Sequence, residues 1–366
     1  MNHEDLKPLL ILSALGVSGR HWDAILSKGG PKKILENHQS EVVKMISSPI
    51  SKDQLDFGFW EEVFQKAEKK ADQIQFFLSS GGALLGLKGP REMGRLLRAP
   101  SPPLCAYVRG SADVIYSKPT VAIIGTRKPS AVGLQRAFDV AVKLTKGGCL
   151  VVSGGALGID YAAHQGALSA KGKTLVVLGN SVQVRQDERP FRILELRPMA
   201  DVTTLTVFGP WVPNTKALFV SRNQYVAALA DAVLIIEGTM NSGTLHTARY
   251  AKQMGVPVWA IPGDVDNPLA GAANHLLYKQ EARAFLKVED LLKSFGFSQS
   301  VSVKTEFEGE HSDLVRFFMA NEGRLTLDAL CEGLRKPVSE LCLDLLDLEL
   351  AGTLKKEGTE FVLTMS

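Results

Sequence analysis

The sequence predicts a doubly wound, mostly parallel α/β sheet with helices on both faces, preceded by a helical segment and followed by a small helix-and-hairpin module. Two observations carry this. From about Leu104 to Val288, apolar runs of strand length alternate with helix-compatible stretches, the pattern of a parallel sheet built from strand–helix–strand units. Several of those runs stop abruptly at glycine turns, most densely at Val121-Ala-Ile-Ile-Gly-Thr-Arg127 and Leu150-Val-Val-Ser-Gly-Gly-Ala-Leu-Gly-Ile-Asp160. Both turns are read as phosphate cradles, because turn N–H groups and the positive end of the following helix attract an anion.

Residues 1–80 read as a small helical domain. Leu9–Leu15, Trp22, Ile25, Leu26, Ile34 and Leu35 supply its apolar side chains around a Gly16-Val-Ser-Gly19 hairpin. Such a hairpin either presents N–H groups to a DNA phosphate or simply turns a helical bundle. Residues 81–103, with Ser79-Ser-Gly-Gly82, several arginines and prolines, read as a linker. The strands of the central domain, 104–288, are expected at Val121–Ile124, Leu150–Ser153, Thr174–Leu178, near Leu205–Phe208, at Ala232–Ile236 and at Val258–Ile261. Their carboxyl ends carry Gly125-Thr-Arg127, Ser153-Gly-Gly155, Gly179-Asn180, Glu237-Gly238 and Pro262-Gly-Asp264. A ligand crevice is expected at that edge. Residues 289–310 read as a second linker, and 311–366 as three short helices with a hairpin at Glu357-Gly358, the outline of a winged helix. Glu332, Glu340, Asp344 and Asp347 give its helices an acidic balance over Arg335 and Lys336, which favours a protein partner over the major groove.

Charge and cysteine usage narrow the chemistry. The formal net charge of +3 over 366 residues requires any polyanion site to come from local clustering. One cluster stands between Lys88 and Lys128, where eight basic residues face two acidic ones, Glu92 and Asp113. The four cysteines form no CxxC pair, so neither zinc nor a disulfide frame is indicated, and a reducing cytoplasmic location is expected. No apolar run reaches the roughly 18 residues of a membrane span.

Neither opening turn matches GxGxxG, so no dinucleotide cofactor is expected. Arg127, beside Lys128, stands where a guanidinium can close over a phosphate held by the Gly125-Thr126 turn. Arg222 and Asn223 precede the apolar stretch Val226–Leu229; they suit a phosphate or a base edge, or Asn223 caps the helix. Ser242-Gly-Thr244 is a further turn before a helix over Leu245–Met254. Asp160 and His164, four apart, form either an acid–base pair or a buried pair that fixes the turn. Glu237, ending a strand, is the one carboxylate to watch as an acid or base, and no nucleophile elbow is present.

Taken in order, these residues resemble the DprA/Smf family of bacterial DNA-processing proteins. The resemblance rests on Val121–Arg127, Val152–His164 with Gly166-Ala-Leu168, Phe219-Val-Ser-Arg-Asn223, Ser242-Gly-Thr-Leu-His-Thr-Ala248, Val258-Trp-Ala-Ile-Pro-Gly263 and Gly271-Ala-Ala-Asn274, covers about Leu104 to Leu286, and includes Leu325–Thr364, with Leu348–Gly352, as similar to the family's C-terminal winged-helix domain. It implies an extended Rossmann-like fold that binds single-stranded DNA, forms a homodimer and passes the strand to the recombinase RecA, protecting incoming DNA during natural transformation. No catalysis, metal or cofactor is implied. The family's phosphate-binding arginine falls on Arg127 and its Arg-Asn motif on Arg222 and Asn223, with Ser153, Gly154 and Gly155 lining the same pocket. The chain departs from the family pattern at Leu157, Arg189-Pro190, Thr206-Val207, Gly255-Val-Pro257 and Glu281-Ala282. An alternative on a related fold is a nucleotide-binding or phosphoribohydrolase-like protein with Glu237 as its acid.

Overall fold

The computed structural model describes residues 3–45, 77–117, 119–180, 201–210, 215–296, 324–334, 336–350 and 354–363, with Glu62, Gln65, Ile74, Gln75, Val212, Leu314, Phe317 and Phe318. Arg189-Pro190, Arg335, Gly352 and residues 297–310 of the expected second linker lie outside them. The chain divides into two compact units, Met1–Ser300 and Val301–Ser366.

The first unit opens with helices α1 (His3–Ala14), α2 (Trp22–Ser27), α3 (Pro31–Asn37) and α4 (Gln39–Met45), followed by strands β1 (Gly82–Leu85) and β2 (Ala106–Arg109). The helices do not form a core of their own. Leu6, Leu9, Leu10, Trp22, Ile25 and Ile34 bury themselves against Leu84, Leu104, Cys105 and Tyr107, so β1 and β2 belong to the helical layer as much as to the sheet. The Gly16–Gly19 hairpin is closed to a phosphate. The N–H groups of Gly16, Val17 and Gly19 donate to Ser13, Leu12 and Pro102, and the Ser18 hydroxyl also donates to Pro102 O.

The alternating part follows the expected pattern closely. It runs β3 (Thr120–Ile124), α5 (Ala131–Lys146), β4 (Leu150–Ser153), α6 (Ile159–Ser169), β5 (Thr174–Val177), β6 (Val202–Thr206), α7 (Lys216–Ser221), α8 (Asn223–Leu229), β7 (Ala232–Ile235), α9 (Gly243–Gln253), β8 (Val258–Ala260), α10 (Gly271–Tyr278), β9 (Arg283–Ala284) and α11 (Val288–Ser294). Among the described residues the strands form one nine-stranded sheet in the order β1-β2-β6-β5-β4-β3-β7-β8-β9. Pairing is parallel from β6 through to β9, while β2 runs antiparallel to β6 and to β1. The period-two alternation of a strand explains the two cores. Ala122, Ile124 and Val152 join Ala227 and Leu229 on one face, while Val121, Ile123 and Val151 join Ala137, Ala141 and Ala163 on the other. From β3 the chain builds outward through β4, β5 and β6, then returns to the opposite side of β3 as β7. That reversal opens a crevice at the carboxyl ends of β3 and β7, the place where open α/β sheets take ligands.

Residues 81–103 correct the linker reading. They contain β1 and a 3-10 segment, Pro90–Arg98, whose Met93 and Leu96 are fully buried. Two of its arginines, Arg95 and Arg98, counted in sequence as part of a basic cluster, are staples. Arg95 bonds Asp231 at 2.8 Å, Ser117 O at 2.6 Å, Ile115 O at 3.2 Å and Thr120 Oγ1 at 3.0 Å, while Arg98 donates to the Ala228 and Ala230 carbonyls. Arg109 lies over the Phe77 ring at 5.1 Å. Arg95, Arg98 and Arg109 are thus taken out of the cluster as structural contacts, since a guanidinium's fixed fork of donors is matched at Arg95 and Arg98 chiefly by main-chain oxygens. The second linker is shorter than expected at its start, since residues 289–294 continue α11.

In the second unit, β10 (Arg324–Thr326), α12 (Leu327–Leu334), α13 (Val338–Leu350), β11 (Leu354–Glu357) and β12 (Glu360–Leu363) surround a core of Leu314, Phe318, Leu330, Leu341, Leu345 and Phe361. The strands pair antiparallel in the order β10-β12-β11, and the hairpin turns at Gly358 with φ +66.

The Arg95 knot sets a stability prediction. Asp231 Oδ2 accepts from both Arg95 and the Thr120 amide, so removing the cation strands a mostly buried carboxylate. Arg95→Ala should cost about 3 kcal/mol, read as a lowered melting temperature that Arg95→Lys only partly restores. An unchanged melting temperature in Arg95→Ala would show that the knot contributes nothing beyond solvated charges.

Candidate functional site

A cleft of about 830 Å³ occupies the switch-point crevice. The β3 exit supplies Gly125, Thr126, Arg127 and Lys128, and the β4 turn supplies Gly154, Ala156 and Asp160. α7 and α8 add Lys216, Phe219, Val220, Arg222 and Asn223, while the start of α9 adds Ser242, Gly243 and Thr244. Among the described residues of this lining, four basic side chains thus face one carboxylate, which favours an anionic ligand.

The structure sorts these residues by availability. Arg127 and Lys128 are exposed at the mouth, with the Arg127 guanidinium 6.0 Å from the centre of the Phe219 ring. Such a guanidinium, held near an aromatic face and open to solvent, can meet a phosphate. Arg222 is different. It is 4% exposed, and it donates to the main-chain oxygens of Gly154 and Val177 and to Asn223 Oδ1 at 3.3 Å. Burial lowers its pKa to about 10, against the opposing pull of Asp160, so it stays charged at neutral pH. It ties the ends of β4 and β5 to the start of α8 and presents only an edge to the cleft. Gly154 must lack a side chain for this, because a Cβ there would stand 2.5 Å from the Arg222 guanidinium. Asn223 is the first residue of α8 rather than its cap, and its amide donates to Gly243 O at 3.4 Å across to α9.

The second opening turn is not a free phosphate cradle. The Asp160 carboxylate accepts from the amides of Gly154 at 3.1 Å and Ala156 at 3.4 Å, taking the place an incoming anion would need. Burial pushes the Asp160 carboxyl up, opposed by Arg222 and by those hydrogen bonds. Ser153 and Gly155 do not line the cleft, and the buried Ser153 hydroxyl donates to Ile123 O at 2.6 Å. Asp160 and His164 do not pair. Thr174 Oγ1 donates to Val151 O at 2.9 Å and is therefore left to accept from His164 Nδ1 at 2.7 Å, which makes Nδ1–H the tautomer. Glu237 lies outside the cleft lining too. Its carboxylate accepts from the Ser130 amide at 2.9 Å and the Ser130 hydroxyl at 2.6 Å, and so holds the start of α5 against β7.

The start of α9 forms the wall of the cleft opposite the β4 turn. Ser242 is the N-cap residue but makes no capping bond, and the buried oxygens Ser242 Oγ and Thr244 Oγ1 both lack a partner. Both oxygens lie against Gly238, where a Cβ would stand 2.9 Å from Ser242 Oγ and 3.0 Å from Thr244 Oγ1, so they are turned from the open cleft, and what α9 offers an anion there is its positive end. Lys216 was missed in the sequence reading. It lies three residues before Phe219 on α7, on the same helical face, a spacing that recognition of α7 as a helix would have exposed.

His164 yields a pH prediction. Burial, reinforced by the charge of Arg222, lowers its pKa to about 3. An unfolded histidine takes up a proton below about pH 6.5, whereas the folded ring stays neutral there. Its contribution to stability is therefore intact above that pH and is lost as pH falls through it, by about 1.4 kcal/mol per pH unit. Melting temperatures taken between about pH 7 and about pH 5 should fall more steeply for the wild type than for His164→Asn. Equal slopes would mean that the ring is not held neutral.

Comparison with known proteins agrees with this architecture. The family model for DNA recombination-mediator protein A matches residues 90–296. Protein Smf of Escherichia coli is 30% identical over 267 residues, spanning 70% of this chain and 71% of that protein. Across the relatives compared, the chain spans 50% to 71% of their length. A solved structure of DNA processing protein A from Helicobacter pylori, described for its single-stranded DNA binding mode, is 26% identical with a TM-score of 0.50, covering 58% of this chain and 94% of that one. The fold is also that of the Streptococcus pneumoniae DprA structure, 24% identical with a TM-score of 0.61 over 79% of this chain and 97% of that one. A sheet reversing at β3 and β7, a cationic cleft at the reversal and a family model spanning more than half the chain lead to one assignment: the chain belongs to the DprA/Smf family of DNA recombination-mediator proteins.

Proposed function

We propose that this protein binds single-stranded DNA in the switch-point cleft and acts as a recombination mediator, working as a homodimer that protects the strand and delivers it to RecA. The observation that carries the DNA part is the cleft itself. Exposed Arg127, Lys128 and Lys216 share the lining with the N-terminus of α9 and an aromatic side chain, Phe219. Cations that follow the backbone and a ring for a base are what an unpaired strand requires. Arg222 contributes by holding the walls in register rather than by gripping a phosphate at the surface. Gly125 and Thr126 shape the turn beneath Arg127, with the Thr126 amide tied to Glu237 O at 2.8 Å. No catalytic step is assigned to the cleft, and Glu237 serves as a clamp on α5.

The delivery step and the dimer are part of this proposal, carried over from what the resemblance to the family implies. Residues 311–366 are read as a winged-helix module that meets a protein partner, in keeping with the carboxylates on its helices. Residues 1–80 are read as support for β1 and β2 and not as a second DNA-binding element, since the hairpin amides are already bonded internally.

Arg127→Ala should weaken oligo-dT binding by about tenfold or more at moderate salt, with the melting temperature preserved because the side chain is exposed. Lys216→Ala should reduce the slope of log K against log salt by about 0.7. Fluorescence anisotropy on fluorescein-labelled oligo-dT over a salt series measures both, and unchanged affinity in Arg127→Ala would refute the placement of the strand.

A further inference from the structure

Exposed cations also stand along α5 and at the edge of the sheet opposite the cleft. α5 begins at the cleft mouth, three residues after Lys128, and its 16 residues carry the chain about 24 Å to that far edge. Arg136 and Lys143, two turns apart on α5, line a shallow groove of about 280 Å³ together with Asp139, Lys287 and Glu289. The Asp139 carboxylate accepts from Gln135 Nε2 at 2.9 Å.

At the far edge three helix ends meet. A Cβ on Gly172, just beyond α6, would run into Thr145 Cγ2 of α5, and one on Gly147 would stand 2.9 Å from Leu292 Cδ1 of α11. The residues flanking these contacts are lysines: Lys146 beside Thr145, Lys171 and Lys173 on either side of Gly172, and Lys293 beside Leu292. With Lys143 one turn back on α5, five exposed lysines gather there, and none forms an ion pair with a described residue. The carboxylates on the meeting segments are Asp201, whose main-chain oxygen accepts from the Thr174 amide next to Lys173, and Asp290, one turn before Lys293. Asp231, at the same edge, is already taken by Arg95.

A lysine in the last turn of a helix complements its dipole, which accounts for Lys143, Lys146 and Lys293 taken singly. It does not account for three such ends side by side, or for Arg136 midway along α5. Lys171 occupies the left-handed position after α6 with φ +56, where glycine is the usual residue. Cations spread over a surface, rather than donors converging on one point, suit a polymer with a charge every few ångströms better than a small anion.

We infer that this ridge, from Arg136 along α5 to the lysines at the far edge of the sheet, is a second contact surface for a nucleic-acid backbone and takes the part of a single strand that extends beyond the cleft. The inference rests on the reading of the cleft as a single-strand site, since α5 runs from one to the other. At about 3.4 Å per nucleotide, the length of α5 corresponds to about seven nucleotides.

Two lengths of labelled oligo-dT separate the surfaces: about six nucleotides, enough for the cleft, and about 20, enough for cleft and ridge together. Anisotropy over a salt series on the full-length protein compares the wild type with the pair Lys143→Gln and Lys146→Gln, and with the pair Lys171→Gln and Lys173→Gln. The pair Lys33→Gln and Lys44→Gln removes the same charge from exposed positions on α3 and α4 as a control. Each ridge pair should lower the slope of log K against log salt by about 1.4 for the long strand, about 0.7 per lost contact. Short-strand binding should stay unchanged, which also reports that the cleft is folded, and the control pair should alter neither length. An unchanged long-strand slope in both ridge pairs overturns the inference. So does an equal fall for both lengths, or an equal fall with the control pair, since either reduces the lysines to bulk charge. A long-strand loss in the ridge pairs with no effect of Arg127→Ala at either length refutes the cleft while retaining the ridge as a site.

Discussion

A guanidinium without access to water must find its hydrogen bonds inside the protein, and the arrangement of this cleft depends on how Arg222 does so. Its donors reach the carbonyls at the ends of two neighbouring strands, β4 and β5, and the side chain of the next residue on α8. Those carbonyls lie where parallel strands finish and their ladder of bonds runs out. Arg222 closes the ladder and brings its charge within the field of Asp160, the nearest compensating group. Asp160 in turn holds the β4 turn by two amides. The pair costs desolvation on both sides, and it is tolerable because the hydrogen bonds are made on both sides.

This division of labour explains why one cleft contains both satisfied and unsatisfied polar groups. On the β4 side, the Gly154 and Ala156 amides are already engaged by Asp160 and the Arg222 donors by main-chain and Asn223 oxygens. On the α9 side, the positive end of a helix is left open. A rigid wall opposite an open wall is the arrangement a binding site needs, since the first keeps its shape without ligand and the second gains bonds only when ligand arrives.

Much of this was legible in the sequence, for physical reasons that can be named. Parallel strands buried on both faces are continuous apolar runs, so β3, β4, β5, β7 and β8 could be placed within a residue or two, and the glycines at their exits located the crevice. The burial of Arg222 was not legible. An arginine before a helix reads the same whether it faces solvent or two carbonyls, and the carbonyls that hold it come from residues 45 and 68 positions away. The staples at Arg95 and Arg98 were hidden for the same reason, with partners more than a hundred residues further on. Asp160 was assigned to His164 by helical spacing, but each found a nearer partner: the turn amides for one and Thr174 for the other.

The order of the strands in space also sets the order in which the chain can complete itself as it leaves the ribosome. α1–α4 can collapse on β1 and β2 early, but β2 then waits for β6, whose residues 202–206 pair with it across almost a hundred positions. β3 acquires β4 quickly and β7 only after residue 232 has emerged, and until then Arg95 and the Thr120 amide have no Asp231 to meet. β3 is therefore enclosed on both sides only after β2, β4, β5 and β6, and the nascent protein carries an open, apolar sheet edge through much of its synthesis.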